Sequence, residues 1–213
     1  METIQHFLQY ILHIDSYLTA FVANYGALTY FVLFAIIFCE TGLVITPFLP
    51  GDSLLFVAGS IAANQQQHLN IQLLFVLLTL ASIFGNKLNY LIGRHIGSRI
   101  FSFQTTWWFN KKHLEEAHQF YEKHGGKTII FARFIPIIRT FAPFVAGVGY
   151  MNWREFSFYN FISAILWIGS LLAAGFFFGS IPLIKNNFTL AIYGIIIISL
   201  IPPIISLLYR KKN

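Results

Sequence analysis

Four ionisable side chains stand inside apolar stretches of this chain: Glu40, Asp52, Arg133 and Arg139. A charge at the centre of a lipid-exposed helix costs roughly 2.5–3.5 kcal/mol. Four of them unpaired would cost on the order of 10–14 kcal/mol, as much as the stability of a whole domain. They must therefore pair, be hydrated in a cavity or, for the two acids, take up a proton. Two kinds of chemistry follow. A guanidinium offers planar, bidentate donors that match the oxygens of a phosphate or carboxylate. A carboxyl in apolar surroundings holds its proton more tightly, and a nearby arginine opposes that. The two acids lie in one broken segment and the two arginines in another, so each supplies one sign only.

Composition says what must position these groups. Hydrophobic residues make up 56% of the 213 and charged residues 10%, against about 25% charged in soluble domains. So few charges cannot solvate an ordinary surface. A soluble enzyme, a disordered protein and a nucleic-acid-binding domain are excluded despite the net charge of +6. The expectation is an all-α integral membrane protein forming one transmembrane domain over 1–213. Cys39 is the lone cysteine, which excludes an internal disulfide or a thiolate metal cluster. His113, His118 and His124 lack the i, i+4 spacing of a helical metal site. No P-loop, G-x-S-x-G or H-E-x-x-H occurs, and Gly93-Arg-His-Ile-Gly97 has no preceding strand to make it a dinucleotide fingerprint. No catalytic residue, cofactor or metal is expected.

Basic residues set an expected topology. None of the 14 lies in 1–86, seven lie in 87–127, and Arg210, Lys211 and Lys212 end the sequence. Positive segments remain cytoplasmic, so the central segment and the C-terminus should share that side, with an even number of crossings between them. Residues 156–179 and 188–209 carry no formal charge over 24 and 22 residues, each long enough at 1.5 Å per residue for a hydrocarbon core of about 30 Å. A third span is expected at 71–92. Segments 2–22 and 110–124 read as interfacial amphipathic helices.

Residues 128–151 then have no crossing to make. They contain Arg133, Pro136, Arg139, Pro143, Gly147 and Gly149, and two central prolines break a helix. A re-entrant hairpin from the cytoplasmic side satisfies the count, with its irregular backbone buried in protein or facing a wet cavity. Residues 25–63 read the same way from the opposite side, broken at Pro47, Pro50, Gly51 and Asp52. The arm 27–45 is nearly long enough to cross alone, so a full crossing there stays open. Amphipathic helix, broken hairpin and span thus recur, at about 2–92 and about 110–180, before a final span at 188–209. Opposite entry sides make this an inverted repeat, a plan in which ligands bind near the midplane on discontinuous helices. Pro47, Pro50, Gly51, Pro136, Pro143 and Gly147 are read as shaping the hairpins, with helix starts near Gly51 and after Pro143 offering amide groups to an anion.

Two long motifs carry a resemblance. Residues 40–53, Glu-Thr-Gly-Leu-Val-Ile-Thr-Pro-Phe-Leu-Pro-Gly-Asp-Ser, and residues 126–147, from Gly126 through Arg133, Pro136, Arg139 and Pro143 to Gly147, resemble the two signatures of the DedA (SNARE-associated, VTT-domain) family. The likeness runs from about residue 5 to about 205. Relatives tend to carry an aspartate at the position of Asn86, so a third acidic group is absent here.

The resemblance implies paired re-entrant hairpins and lipid transport across the bacterial inner membrane. For bacterial members the implied substrate is undecaprenyl phosphate. On this reading Arg133 and Arg139 bind the lipid phosphate, and Glu40 and Asp52 couple protons or ions. Partners are membrane lipids and protons, with no nucleic acid; self-association is left open. Three alternatives stay on the table: a proton-coupled antiporter of small cations or drugs built on Glu40 and Asp52, an assembly factor whose buried charges only fix the fold, and, more weakly, a phosphatase of lipid phosphates. Capping of a helix by Asp52 and simple ion pairing of Glu40 are the structural roles that compete with these.

Overall fold

A computed structural model describes residues 18, 21–22, 24–43, 51–63, 69–100, 125–179 and 181. Among these the regular secondary structure is helical, with six helices given bounds: α1 (Leu28–Gly42), α2 (Gly51–Ala63), α3 (Ile71–Ile100), α4 (Lys127–Ala132), α5 (Pro136–Val148) and α6 (Trp153–Phe178). The amphipathic segment 110–124, the final span 188–209, Pro47 and Pro50, and all but a few residues of 2–22 lie outside the described residues.

Two helices have the length and composition of spans. Ile71–His95 and Trp153–Phe178 are 25 and 26 residues long and mainly apolar, reaching about 37 Å and so long enough to cross a bilayer with room for tilt. Both expose large apolar side chains along their length: Leu73, Val76, Leu80, Phe84 and Leu91 on α3, and Phe158, Phe161, Leu166, Phe177 and Phe178 on α6. Such surfaces suit lipid and would aggregate in water. Each span starts on an asparagine. Asn70 Oδ1 accepts from the amides of Gln72 (2.9 Å) and Leu73 (3.1 Å), and Asn152 Oδ1 accepts from the Arg154 amide (2.9 Å). Both acceptors satisfy amide groups that the first turn leaves open.

The other helices are short. Fifteen, 13, 6 and 13 residues in α1, α2, α4 and α5 reach at most about 22 Å, less than the hydrocarbon thickness. Between α4 and α5 the chain turns at Arg133, Phe134 and the extended Ile135 (φ −114°, ψ 109°), and α4 packs against α5. The break therefore precedes Pro136, which opens α5. The helix start expected after Pro143 is not found, because Pro143 lies within α5. At position N1 a proline loses only an amide that had no partner. Pro143 removes one bond inside the helix and loosens the turn before it. There the Asn89 side-chain amide donates to the Thr140 carbonyl at 2.7 Å.

The chain gathers into two compact units. The first takes 1–36, 49–79 and 168–213, the second 37–48 and 80–167, and α1, α3 and α6 contribute to both. In the first, Leu33, Leu55, Val57, Leu74, Leu78, Ile168 and Leu172 are buried. A Cβ at Gly59 would meet the Leu172 backbone, and one at Gly175 the Phe56 carbonyl, so α2 and α6 touch backbone to backbone. In the second, Tyr90, Ile129, Ala146, Met151 and Phe156 form the core. Gly42 and Gly85 bring α1 against α3, while Gly93 and Gly147 bring α3 against α5. Small residues permit such approach between membrane helices.

Candidate functional site

Three of the four charges come together in the second unit. Glu40 arrives on the last turn of α1, Arg133 just after α4, and Arg139 on the first turns of α5. The relative exposures of Glu40, Arg133 and Arg139 are 0%, 3% and 9%. Arg139 Nη2 pairs with Glu40 Oε1. Arg133 has a different shell. Its Nη1 donates to Ser163 Oγ (2.7 Å) and to Asn160 Oδ1 (3.3 Å), and its Nη2 to Ser82 Oγ. These acceptors are neutral.

A single indole serves both arginines. The Cζ of Arg133 lies 5.3 Å, and that of Arg139 5.1 Å, from the ring centroid of Trp167, inside the range of a cation–π contact. Residues six apart on one unbroken helix face different sides. The turn at 133–135 removes that constraint and lets both guanidinium groups reach one ring. Among the described residues the cluster gathers two positive charges and one negative, away from bulk water.

Around it runs a polar frame. Asn86 Nδ2 donates to Asn160 Oδ1 (3.0 Å), the atom that also accepts from Arg133, and Asn160 Nδ2 donates to the Ile83 carbonyl (3.1 Å). Asn89 Nδ2 bridges the carbonyls of Thr41 (3.1 Å) and Thr140 (2.7 Å), joining α1, α3 and α5. Buried side-chain amides of this kind are tolerated where their N–H groups find acceptors, as those of Asn86, Asn89 and Asn160 do.

Asp52 belongs to the other unit, as the second residue of α2, where a carboxylate in the first turn favours the helix dipole. Gly51 opens the same helix and is buried, the helix start expected at that residue. Gly147 is buried on α5, where a Cβ would meet the Tyr90 carbonyl. Pro136 and Pro143 stand at the start and inside of α5.

Sequence reasoning from charges alone misses Ser82, Asn160 and Ser163, and gives Trp167 an interfacial or packing role. A signal existed. Ser82, Asn86 and Asn89 recur at i, i+4 and i+7 on one apolar helix, and Asn160, Ser163 and Trp167 at i, i+3 and i+7 on the other. Each set lines one helical face.

Comparison with known proteins adds the relatives. Residues 49–177 match the VTT domain. The chain is 51% identical to Protein DedA of Escherichia coli K12 over 212 residues, covering all of this chain and 97% of the relative. It is 39% identical to an uncharacterised membrane protein of Mycobacterium tuberculosis H37Rv (84% of this chain, 79% of the relative). It is 35% identical to the inner membrane protein YqjA of E. coli K12 (72% and 69%). No solved structure matches.

Proposed function

We propose that this chain, which belongs to the VTT-domain (DedA) family of membrane proteins, is an inner-membrane carrier that moves an anionic lipid phosphate, of the polyprenyl phosphate class, from one leaflet to the other. The observation that carries the reading is the charge balance of the buried cluster: two guanidinium groups share Trp167, and among the described residues one carboxylate, that of Glu40, pairs with Arg139. Arg133, held by hydroxyl and amide oxygens, offers its guanidinium to an incoming anion. Guanidinium forks suit phosphate oxygens, and a low-dielectric setting strengthens the contact. The lipid tail remains in the bilayer, so the protein shields only the headgroup. No covalent step is required.

In this reading the segments 25–63 and 128–151 are re-entrant hairpins entering from opposite faces. Helices of 15, 13 and 13 residues, α1, α2 and α5, are too short to cross alone and suit half-crossings. Release of Arg139 from Glu40 is the coupling step. A proton on Glu40 cancels its charge and frees the guanidinium for phosphate; loss of that proton restores the ion pair and expels the lipid. Asp52 is the second carboxyl in this proposal and takes or gives the proton on its way across.

The test is flipping of a fluorescent polyprenyl phosphate in proteoliposomes. Arg133→Ala or Arg139→Ala, verified as folded, should abolish it. Undiminished flipping by either variant rejects the carrier. A carboxylate-dependent proton flux driven by a soluble cation, with no lipid movement, would establish the antiporter alternative instead.

A further inference from the structure

A second basic site, separate from the buried cluster, lies in the same unit. A cavity of about 480 Å³ is lined by Arg94, Tyr150, Met151, Asn152, Trp153 and Arg154, within the roughly 300–1,000 Å³ of small-ligand sites. Span boundaries locate it at the edge of the hydrocarbon. The α3 span ends at His95, one residue beyond Arg94, and the α6 span begins at Trp153. Arg94 and Arg154 are exposed, and Lys87 Nζ stands 4.8 Å from the Trp153 ring centroid. Among the described residues no carboxylate lines the cavity. Glu155, next in sequence, accepts from the Gly126 amide at 3.0 Å.

The walls are fixed by neighbouring contacts. Arg94 Nη1 donates to Tyr90 Oη (2.9 Å), and Tyr90 Oη donates to the Met151 carbonyl (2.6 Å). Tyr90 is wholly buried and stacks on Phe156 at 4.3 Å. The Arg94 guanidinium lies 5.8 Å from the Tyr150 ring centroid. Tyr150 adopts φ 55°, the left-handed conformation that residues with a Cβ seldom take. Two cations thus stand beside two aromatic rings next to the ends of two candidate spans.

We propose that this cavity binds a phosphate-bearing anion, held between Arg94 and Arg154 with Tyr150 and Trp153 as its walls. The proposal does not depend on what the buried cluster carries. An occupied cavity ties the exit of α5 to the end of the α3 span, since Arg94 and the 150–154 loop share the ligand.

Trp153 supplies the readout. The full chain, purified in neutral detergent with Trp107, Trp108 and Trp167 replaced by Phe, is titrated with dihexanoyl phosphatidic acid, dihexanoyl phosphatidylcholine or inorganic phosphate. Saturable change in Trp153 fluorescence with phosphatidic acid is expected, with half-saturation raised about fivefold by Arg94→Gln and again by Arg154→Gln. Arg94→Lys, which keeps the charge, should shift it less, and the exposed Arg154 tests the idea if Arg94→Gln does not fold. Saturation by inorganic phosphate at the same concentrations makes the free anion the ligand; saturation by phosphatidic acid alone makes it a headgroup. An equal response to phosphatidylcholine, or arginine variants that titrate like the parent, overturns the proposal.

Discussion

Arg133 and Arg139, six residues apart, place their guanidinium carbons 5.3 and 5.1 Å from the centroid of one indole, that of Trp167. Like charges repel, and here the repulsion is opposed by the electron-rich ring and by one carboxylate, Glu40. Trp167 is 2% exposed, and a desolvated cation–π contact is worth about 2 kcal/mol or more. Trp167→Leu should therefore lower stability by at least about 2 kcal/mol, and Trp167→Phe, which keeps a weaker ring, by less. Thermal unfolding in detergent reads both. Leucine and phenylalanine variants of equal stability would show that the ring acts only by filling space.

Much of this arrangement was legible in the sequence, and the reasons are specific. The α3 and α6 spans declare themselves because a crossing helix must be apolar for about 20 residues; the second begins at Trp153, three residues before the expected Phe156. Glu40, Arg133 and Arg139 stand out because a charge in apolar sequence is expensive. Which acid meets which arginine does not follow from cost: Glu40 and Arg139 are 99 residues apart. Ser82, Asn160 and Ser163 are quiet because a single hydroxyl or amide on an apolar helix costs little. The break between the arginines was legible at Pro136, but the helix start expected after Pro143 was not found, for a local reason. Both prolines disfavour a helix interior, yet one starts α5 and the other sits within it, and only tertiary contacts such as Asn89 with Thr140 separate the two.

The Glu40–Arg139 pair predicts a non-additive response. Removing one partner of a buried pair strands the other and costs about 3–5 kcal/mol. Glu40→Gln and Arg139→Gln should each destabilise by that order, while the double variant should lose clearly less than the sum. A double-mutant cycle on unfolding measures the coupling, and additive losses would deny the pairing. On the carrier reading the double variant also stays inactive in lipid flipping although its fold is recovered.

Asn86 predicts a pH effect. Its amide donates to Asn160 Oδ1, the acceptor shared with Arg133. Asn86→Asp introduces a carboxyl that is neutral when protonated and resembles the amide it replaces. Once ionised it brings a negative charge near Arg133 and competes with an incoming anion. Lipid-phosphate flipping by Asn86→Asp should therefore match the parent at acid pH and fall below it as pH rises. Proteoliposome assays on both proteins across pH 5.5–8.5 (roughly the range in which a perturbed carboxyl titrates) decide the matter, and parallel profiles would remove Asn86 from the network around Arg133.

Backbone contact between α3 and α5 predicts that its glycines are intolerant. A Cβ at Gly147 would meet the Tyr90 carbonyl, and one at Gly93 the Phe144 carbonyl. Main chain cannot turn aside as a flexible side chain can, so the helices must separate. Overpacking of this kind costs about 1–3 kcal/mol. Separation also moves Arg139, carried by α5, away from the Asn89 bridge that holds Thr41 and Thr140 together. Gly169 is the control, because the nearest atom to its Cβ is on the Phe75 ring at 3.3 Å, and a ring can shift by a few tenths of an ångström. Gly93→Ala and Gly147→Ala should each lower both thermal stability and flipping, whereas Gly169→Ala should change either only slightly. If all three glycines accept alanine equally, the close approach of α3 and α5 is not what holds Arg139 in place.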